Sequence, residues 1–124
     1  MKRNIRNIRR LASFIERGRY EFNMLSGWAR PTCGTAGCIG GHAAVLWPSL
    51  RKLTCVDYFS FNDDALAEKL GLSSEKTDDL CYGNMVLVRC GLTLGDVTRI
   101  AAVEMLRNLA KTGRVRFLKR LCTA

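Results

Sequence analysis

The sequence predicts a mainly α-helical fold, a compact bundle of about five short helices with a small β element at 53–61 or 114–118. Several segments place apolar residues three and four positions apart, which is the spacing of an amphipathic helix. Glycine follows most of these segments, where it commonly ends a helix. The 124 residues are 48% hydrophobic, which is enough for one core. We therefore expect a single globular domain over residues 1–124.

The first predicted helix covers residues 4–17, and Gly18 ends it. Its apolar residues share one face, and the opposite face is rich in arginine. Residues 20–31 are aromatic without a clear period, which indicates a loop or a short turn. We expect the following side chains of this segment to point inward: Phe22, Met24 or Leu25, and Trp28.

The second predicted helix contains the stretch C-G-T-A-G-C-I-G-G-H-A-A at 33–44. Pro31 disfavours helical geometry in the preceding residue, so we expect Thr32 to cap a helix that ends near Leu46, before Pro48. Glycine inside a helix is unfavourable by roughly 1 kcal/mol relative to alanine. The simplest reason for so many small residues is close packing of neighbouring elements, with Cys38 and Ile39 buried.

Three further helices are predicted from their capping residues. Asparagine, serine or threonine stands before each one, and glycine follows each one. Thr93 and Asp96 have the spacing of a capping box with Asp in place of Glu. The apolar segment 84–90 fits a helix or a strand. The predicted starts and ends are 62 or 63 to 70, 73 or 74 to 82, and 93 to 111.

Charge is distributed unevenly along the chain, whose formal net charge is +9. Residues 1–19 hold seven basic residues and one acidic residue, and residues 111–120 hold five basic residues. Residues 57–79 hold seven acidic residues and two basic ones. If the two basic ends meet, they form one patch that attracts nucleic acid or an acidic protein surface. The alternative is that these residues are solvated helix faces without a partner.

The cysteines and the absence of export signals bear on the compartment. The first ten residues lack the apolar stretch of a secretory signal, and no run of apolar residues is long enough to span a membrane. We therefore expect a cytoplasmic protein with no membrane contact, whose six cysteines are free thiols.

The candidate residues for metal binding or catalysis are Cys33, Cys38 and His42. These residues are weak candidates for a zinc site, completed by another cysteine, because their spacing is not a standard zinc pattern. A cysteine nucleophile also lacks support, since the only histidine is about two turns from Cys33 on the predicted helix. We expect no catalytic residues, no metal and no cofactor. A small zinc- or thiol-dependent protein built on these three residues is an alternative.

The segment 65–80 has the pattern of a helix-turn-helix, with L-A-E-K-L-G-L-S at its turn. The second helix would have to read DNA, but it offers Glu75, Asp78 and Asp79. Carboxylates repel phosphates, and base readout usually uses Arg, Asn or Gln. We therefore expect a helical hairpin that serves packing.

Four segments together resemble a loose set of small bacterial and phage proteins of unknown function. They are Phe22–Trp28, Cys33–Ala43 with the pattern C-G-T-A-x-C-I-x-G, Lys69–Leu72, and Thr112–Val115. In this set the position of His42 can be Trp, which weakens a metal or catalytic role. Small phage proteins without catalytic motifs often block a host machine, as anti-CRISPR proteins do.

The resemblance therefore implies a non-enzymatic phage or mobile-element protein in the host cytoplasm. It would inhibit a host defence machine by contact with a protein or a ribonucleoprotein complex. The alternative is a regulator that binds nucleic acid through the basic ends. The candidate partner-binding residues are Arg3, Arg6, Arg9, Arg10, Arg17, Arg114, Arg116, Lys119 and Arg120.

Overall fold

The computed structural model describes residues 2–26, 29, 34–53 and 58–122. The helices of these residues are α1 (Ile5–Glu16), α2 (Ile39–Leu46), α3 (Asp63–Leu70), α4 (Ser74–Tyr82), α5 (Asn84–Val88) and α6 (Arg99–Thr112). The strands are β1 (Glu21–Phe22), β2 (Thr35–Gly37), β3 (Arg51–Leu53) and β4 (Phe59–Phe61). The prediction of a mainly helical fold with a small β element is confirmed. In the described part of the chain, no helix has the length and apolarity needed to cross a membrane.

Helices α1 and α6 pack side by side and run antiparallel. The guanidinium of Arg3, just before α1, donates to the carbonyls of Ala110 and Lys111 at the end of α6. At the other end, Arg99 at the start of α6 donates to the carbonyl of Ile15. Both helices bury their apolar face in one hydrophobic core that also receives side chains from α2, α3 and α4. Their polar faces consequently lie next to each other on the surface.

The prediction of one helix from the cap at Thr32 to Leu46 is wrong for the N-terminal half of that range. Helix α2 begins at Ile39, and Thr35–Gly37 forms β2, which pairs in parallel with β1. Gly37 has a φ of +69°, a conformation that favours glycine and that separates the strand from the helix. The predicted cap Thr32 and the predicted core residue Trp28 lie outside the described residues. Sequence periodicity missed β1 and β2 because each has at most three residues.

The small residues of α2 are explained by close packing, as predicted. A Cβ atom on Gly41 would lie 1.9 Å from the carbonyl oxygen of Ala36, and one on Gly40 would lie 2.3 Å from the ring of Phe61. These distances are far below van der Waals contact. Helix α2 is therefore held against β2 on one side and β4 on the other.

The small β element, predicted at 53–61 or 114–118, overlaps the first of these ranges. Strands β3 and β4 pair antiparallel, with Arg51 opposite Phe61, while residues 54–57 between them lie outside the described residues. Residues 114–118 do not form a strand. Their backbone instead follows α6 as an irregular segment, because the buried ring of Phe117 anchors it to the core. A short 3₁₀ turn over Lys119–Leu121 follows.

Capping residues predicted most helix ends correctly. Asn62 and Ser73 cap α3 and α4, and glycines at 71, 83 and 113 end α3, α4 and α6 in the left-handed conformation. The capping box of Thr93 and Asp96 is also present. It opens only a 3₁₀ turn over Leu94–Asp96, because the following residue is extended, and α6 begins after a second cap at Thr98.

Candidate functional site

The cysteine and histidine of the small-residue segment meet through a backbone carbonyl. Cys38 is the N-cap residue of α2, and His42 lies one turn later in the helix. The Nδ1 atom of His42 lies 3.0 Å from the carbonyl oxygen of Cys38. Since a carbonyl oxygen only accepts, Nδ1 carries the proton in this contact. The imidazole is thus oriented by the backbone and does not serve the thiol.

His42 is a core residue, with only 1% of its surface exposed. Its ring packs edge-on against Phe14 at 6.1 Å between centroids and lies 5.5 Å from the ring of Phe22. In the described part of the chain, Nε2 has no hydrogen-bond partner. Burial lowers the pKa of His42, and the positive charge of Arg99 acts in the same direction. The imidazole is therefore neutral at physiological pH.

Cys38 is equally enclosed, with 3% of its surface exposed. Burial raises the pKa of its thiol, although the amide groups of Gly40 and Gly41 at the helix start oppose this effect. The protonated thiol is a poor nucleophile and a poor metal ligand. Among the described residues, no three His, Cys, Asp or Glu side chains are arranged to hold a metal ion. Cys33, the third weak candidate, lies outside the described residues.

The hairpin formed by α3 and α4 carries the acidic segment. Three of its exposed carboxylates, Asp63, Asp64 and Glu75, lie at helix starts, where they are electrostatically favoured. One of them, Asp63, accepts a hydrogen bond of 2.9 Å from the hydroxyl of Tyr82, which connects the two helices. Lys76 of the same hairpin donates to the carbonyl of Gly113 at the end of α6. These contacts are structural, in line with the expectation of a packing hairpin.

The arginines of α1 occupy two positions around the helix. Arg6, Arg10 and Arg17 are four and seven residues apart, so they form one exposed stripe opposite the buried face. Arg9 is exposed and lies two turns before Glu16 on the side of α1 that faces α6. On the other side of α1, Asn7 donates to the carbonyl of Lys69 in α3.

This geometry separates the acidic helix α3 from the polar ridge of α6. Asn7 and Glu16 are nine residues apart, about two and a half helical turns, so they point to opposite sides of α1. The acidic helix α3 therefore lies on one side of α1, and the polar ridge of α6 lies on the other. The acidic residues of α3 and the basic residues of α6 therefore lie on different sides of α1.

Arg3 takes no part in the exposed stripe. It is half-buried, and its Nε and Nη2 atoms lie 3.1 Å and 3.3 Å from the carbonyl oxygens of Ala110 and Lys111. These carbonyls belong to the last turn of α6, which lacks helical donors of its own. The structure thus places Arg3, a candidate partner-binding residue, at the C-terminal end of α6. Its positive charge interacts favourably there with the negative end of the helix dipole.

The C-terminal tail, residues 114–121, follows α6 on the side opposite α1. Asn108 donates to the carbonyl of Arg114 at one end, and Thr98 donates to the carbonyl of Leu121 at the other. The tail therefore runs back along the whole of α6. Its four cations are exposed: Arg114, Arg116, Lys119 and Arg120.

Helix α6 joins the two basic ends. Its exposed ridge lies between the arginine stripe of α1 and the tail, and Arg107 and Lys111 add positive charge to it. We define the basic face as the exposed cations of these three segments. Glu16 and Glu104 are the carboxylates on this face. Its members are Arg6, Arg9, Arg10, Arg17, Arg107, Lys111, Arg114, Arg116, Lys119 and Arg120.

The basic face contains a recessed pocket between α6 and the tail. The pocket has a volume of about 280 Å³, and both segments contribute to its wall. Sequence analysis did not include Arg107 among the candidate residues, because it lies outside both basic ends of the chain. The lining residues are Glu104, Arg107, Asn108, Lys111, Arg116 and Leu118.

The aromatic residues near the basic ends are wholly or partly buried. Phe117 is 2% exposed, and Phe14 packs against Tyr20 and His42. The basic face therefore offers mainly charge and hydrogen-bond donors. Comparisons with models of protein families, with curated proteins and with solved structures give no match for this chain.

Proposed function

We propose that this chain is a non-enzymatic binding protein whose basic face contacts the nucleic acid of a ribonucleoprotein complex. The observation that carries the proposal is the convergence of both basic ends on α6. Two segments about a hundred residues apart in sequence present their cations on one surface, while the acidic helix α3 is turned away. Phosphate backbones bind such surfaces through release of their counterions.

The partner is proposed from the resemblance to small phage proteins. It is a host defence ribonucleoprotein in the cytoplasm, which the chain would inhibit by occupying its nucleic acid path. A binding role is supported by the state of the candidate chemical groups, since the Cys38 thiol is protonated and buried, and the His42 ring bonds to the backbone.

A direct binding measurement tests the proposal. A fluorescent single-stranded RNA is titrated with the protein at several salt concentrations. We expect binding that weakens steeply with salt, because cation–phosphate contacts dominate. The double variant Arg6→Ala with Arg10→Ala should weaken binding and reduce the salt dependence. Each lost phosphate contact reduces the logarithmic salt slope by about 0.7 for a single strand.

The matched control is Lys52→Ala with Lys69→Ala. Lys52 lines a surface hollow with Asp63 and Asp64, and Lys69 lies in the acidic helix α3, so both are outside the basic face and their removal changes the net charge equally. If both double variants bind alike, net charge and not the basic face attracts the RNA, and the proposal is wrong. The ribonucleoprotein itself is tested by capture from host lysate with and without nuclease, where nuclease should release it.

A further inference from the structure

The pocket on the basic face has a mixed lining that a bare anion site would not need. Arg107, Lys111 and Arg116 supply positive charge for a phosphate. Glu104 and Leu118 line the same pocket, and a carboxylate and an aliphatic side chain are unfavourable for phosphate. The lining therefore fits a ligand that has an anionic part, an apolar part and a hydrogen-bond donor.

A single nucleotide unit has these three parts. Its phosphate is anionic, the face of its base is apolar, and the bases adenine, cytosine and guanine carry amino groups. A volume of about 280 Å³ is close to the lower end of the roughly 300–1,000 Å³ of ligand pockets. The pocket can thus receive part of one such unit, and a concave site of this kind requires a base that is free of its duplex partner.

The carboxylate of Glu104 can accept a hydrogen bond from the amino group of a bound base. Its Oε1 atom forms an ion pair with Nη1 of Arg107 at 3.6 Å, which is too long for a strong hydrogen bond. Arg107 directs its two short bonds to Glu16 instead, both of 2.8 Å. The pair thus holds Arg107 in place, and Glu104 keeps acceptor capacity beside the cations.

We propose that the pocket between α6 and the tail binds one unstacked nucleotide of a single-stranded nucleic acid. Lys111 and Arg116 contact the phosphate, Leu118 contacts the base, and Glu104 accepts a hydrogen bond from the amino group of the base. This inference rests on the proposed binding function of the basic face and deepens it. Because uracil and thymine present carbonyl groups where cytosine presents an amino group, the pocket discriminates against them.

The test compares oligo-C and oligo-U RNA of equal length, together with a duplex RNA. We expect the protein to bind oligo-C about tenfold more tightly than oligo-U, and both more tightly than the duplex. Glu104→Gln should abolish or reverse this preference, because an amide also donates to the carbonyl of uracil. Lys111→Ala with Arg116→Ala should remove the preference for single strands.

The stripe variant Arg6→Ala with Arg10→Ala, in α1, separates this inference from the proposed function. It should weaken binding of all three RNAs in equal proportion and keep the preference for oligo-C. If the pocket variants bind every RNA like the wild type while the stripe variant does not, the nucleotide pocket is wrong and the basic face stands. If no RNA binds at low salt, both proposals fail. Equal competition by polyglutamate would also overturn the nucleotide assignment.

Discussion

The guanidinium of Arg107 and the carboxylate of Glu16 form two parallel hydrogen bonds of 2.8 Å across the interface of α1 and α6. This bidentate geometry fixes the direction of Arg107 on the basic face. The hydrogen bonds from Arg107 hold the pKa of Glu16 below its usual range. The carboxylate therefore stays ionised under all physiological conditions.

Removal of this carboxylate should strengthen binding to a polyanion. In Glu16→Gln, Arg107 loses its ionic partner and becomes available to a phosphate. We expect tighter binding to single-stranded RNA at low salt and a logarithmic salt slope that steepens by about 0.7. Fluorescence titration at several salt concentrations measures both quantities. Weaker binding with an unchanged slope would show that Arg107 does not contact the ligand.

Arg3 and Arg10 should differ in their effect on stability, although both belong to the basic N-terminal segment. Arg3→Ala removes two hydrogen bonds from the last turn of α6, and we expect a loss of about 1 kcal/mol in the free energy of unfolding. Arg10→Ala, which removes an exposed side chain, should stay within about 0.5 kcal/mol of the wild type. Urea denaturation compares the two variants, and an equal effect would contradict the capping role of Arg3.

The close contacts of α2 predict that larger residues are not tolerated at its glycines. Gly41→Ala places a Cβ atom against the carbonyl oxygen of Ala36, which the backbone cannot avoid without moving β2. We expect a loss of more than about 2 kcal/mol, or no folded protein. Gly95→Ala is the control, because its nearest neighbour is the side chain of Leu25 at 3.4 Å. Thermal melting of both variants measures the difference, and a stable Gly41→Ala protein would refute the packing explanation.

His42 should make the stability of the protein depend on pH. Burial lowers the pKa of His42 in the folded state below its ordinary value of 6.5, so the unfolded chain binds more protons as the pH falls below 6.5. The free energy of unfolding should therefore be nearly constant between about pH 7 and pH 7.5 and decrease below about pH 6.5. The decrease can reach about 1.4 kcal/mol per pH unit for one proton.

Urea denaturation at pH 7.5, 6.5 and 5.5 measures this dependence. His42 is the only histidine, so a variant that lacks it supplies the control. The free energy of unfolding of His42→Gln should be nearly constant over this range, whatever its absolute stability. If the wild type is equally constant, His42 is not held neutral by burial.

The sequence by itself determined the local features of this fold. Glycines at 71, 83 and 113 end helices because a left-handed residue interrupts helical hydrogen bonding, and that effect depends on neighbouring residues alone. The caps at Asn62, Ser73 and Thr98 are equally local, although the preceding capping box at Thr93 led to a start of α6 that is several residues early. The arginine stripe of α1 followed from helical spacing.

Tertiary structure decided the features that depend on distant segments. The stretch 35–46 divides into a strand and a helix because β1 offers backbone partners to β2, which no local pattern reveals. Arg3 and Arg6 look alike in the sequence, but only Arg3 lies within reach of the end of α6. The basic face exists because Phe117 is buried and draws the tail along α6, so that charges from both ends of the chain meet across Arg107 and Lys111.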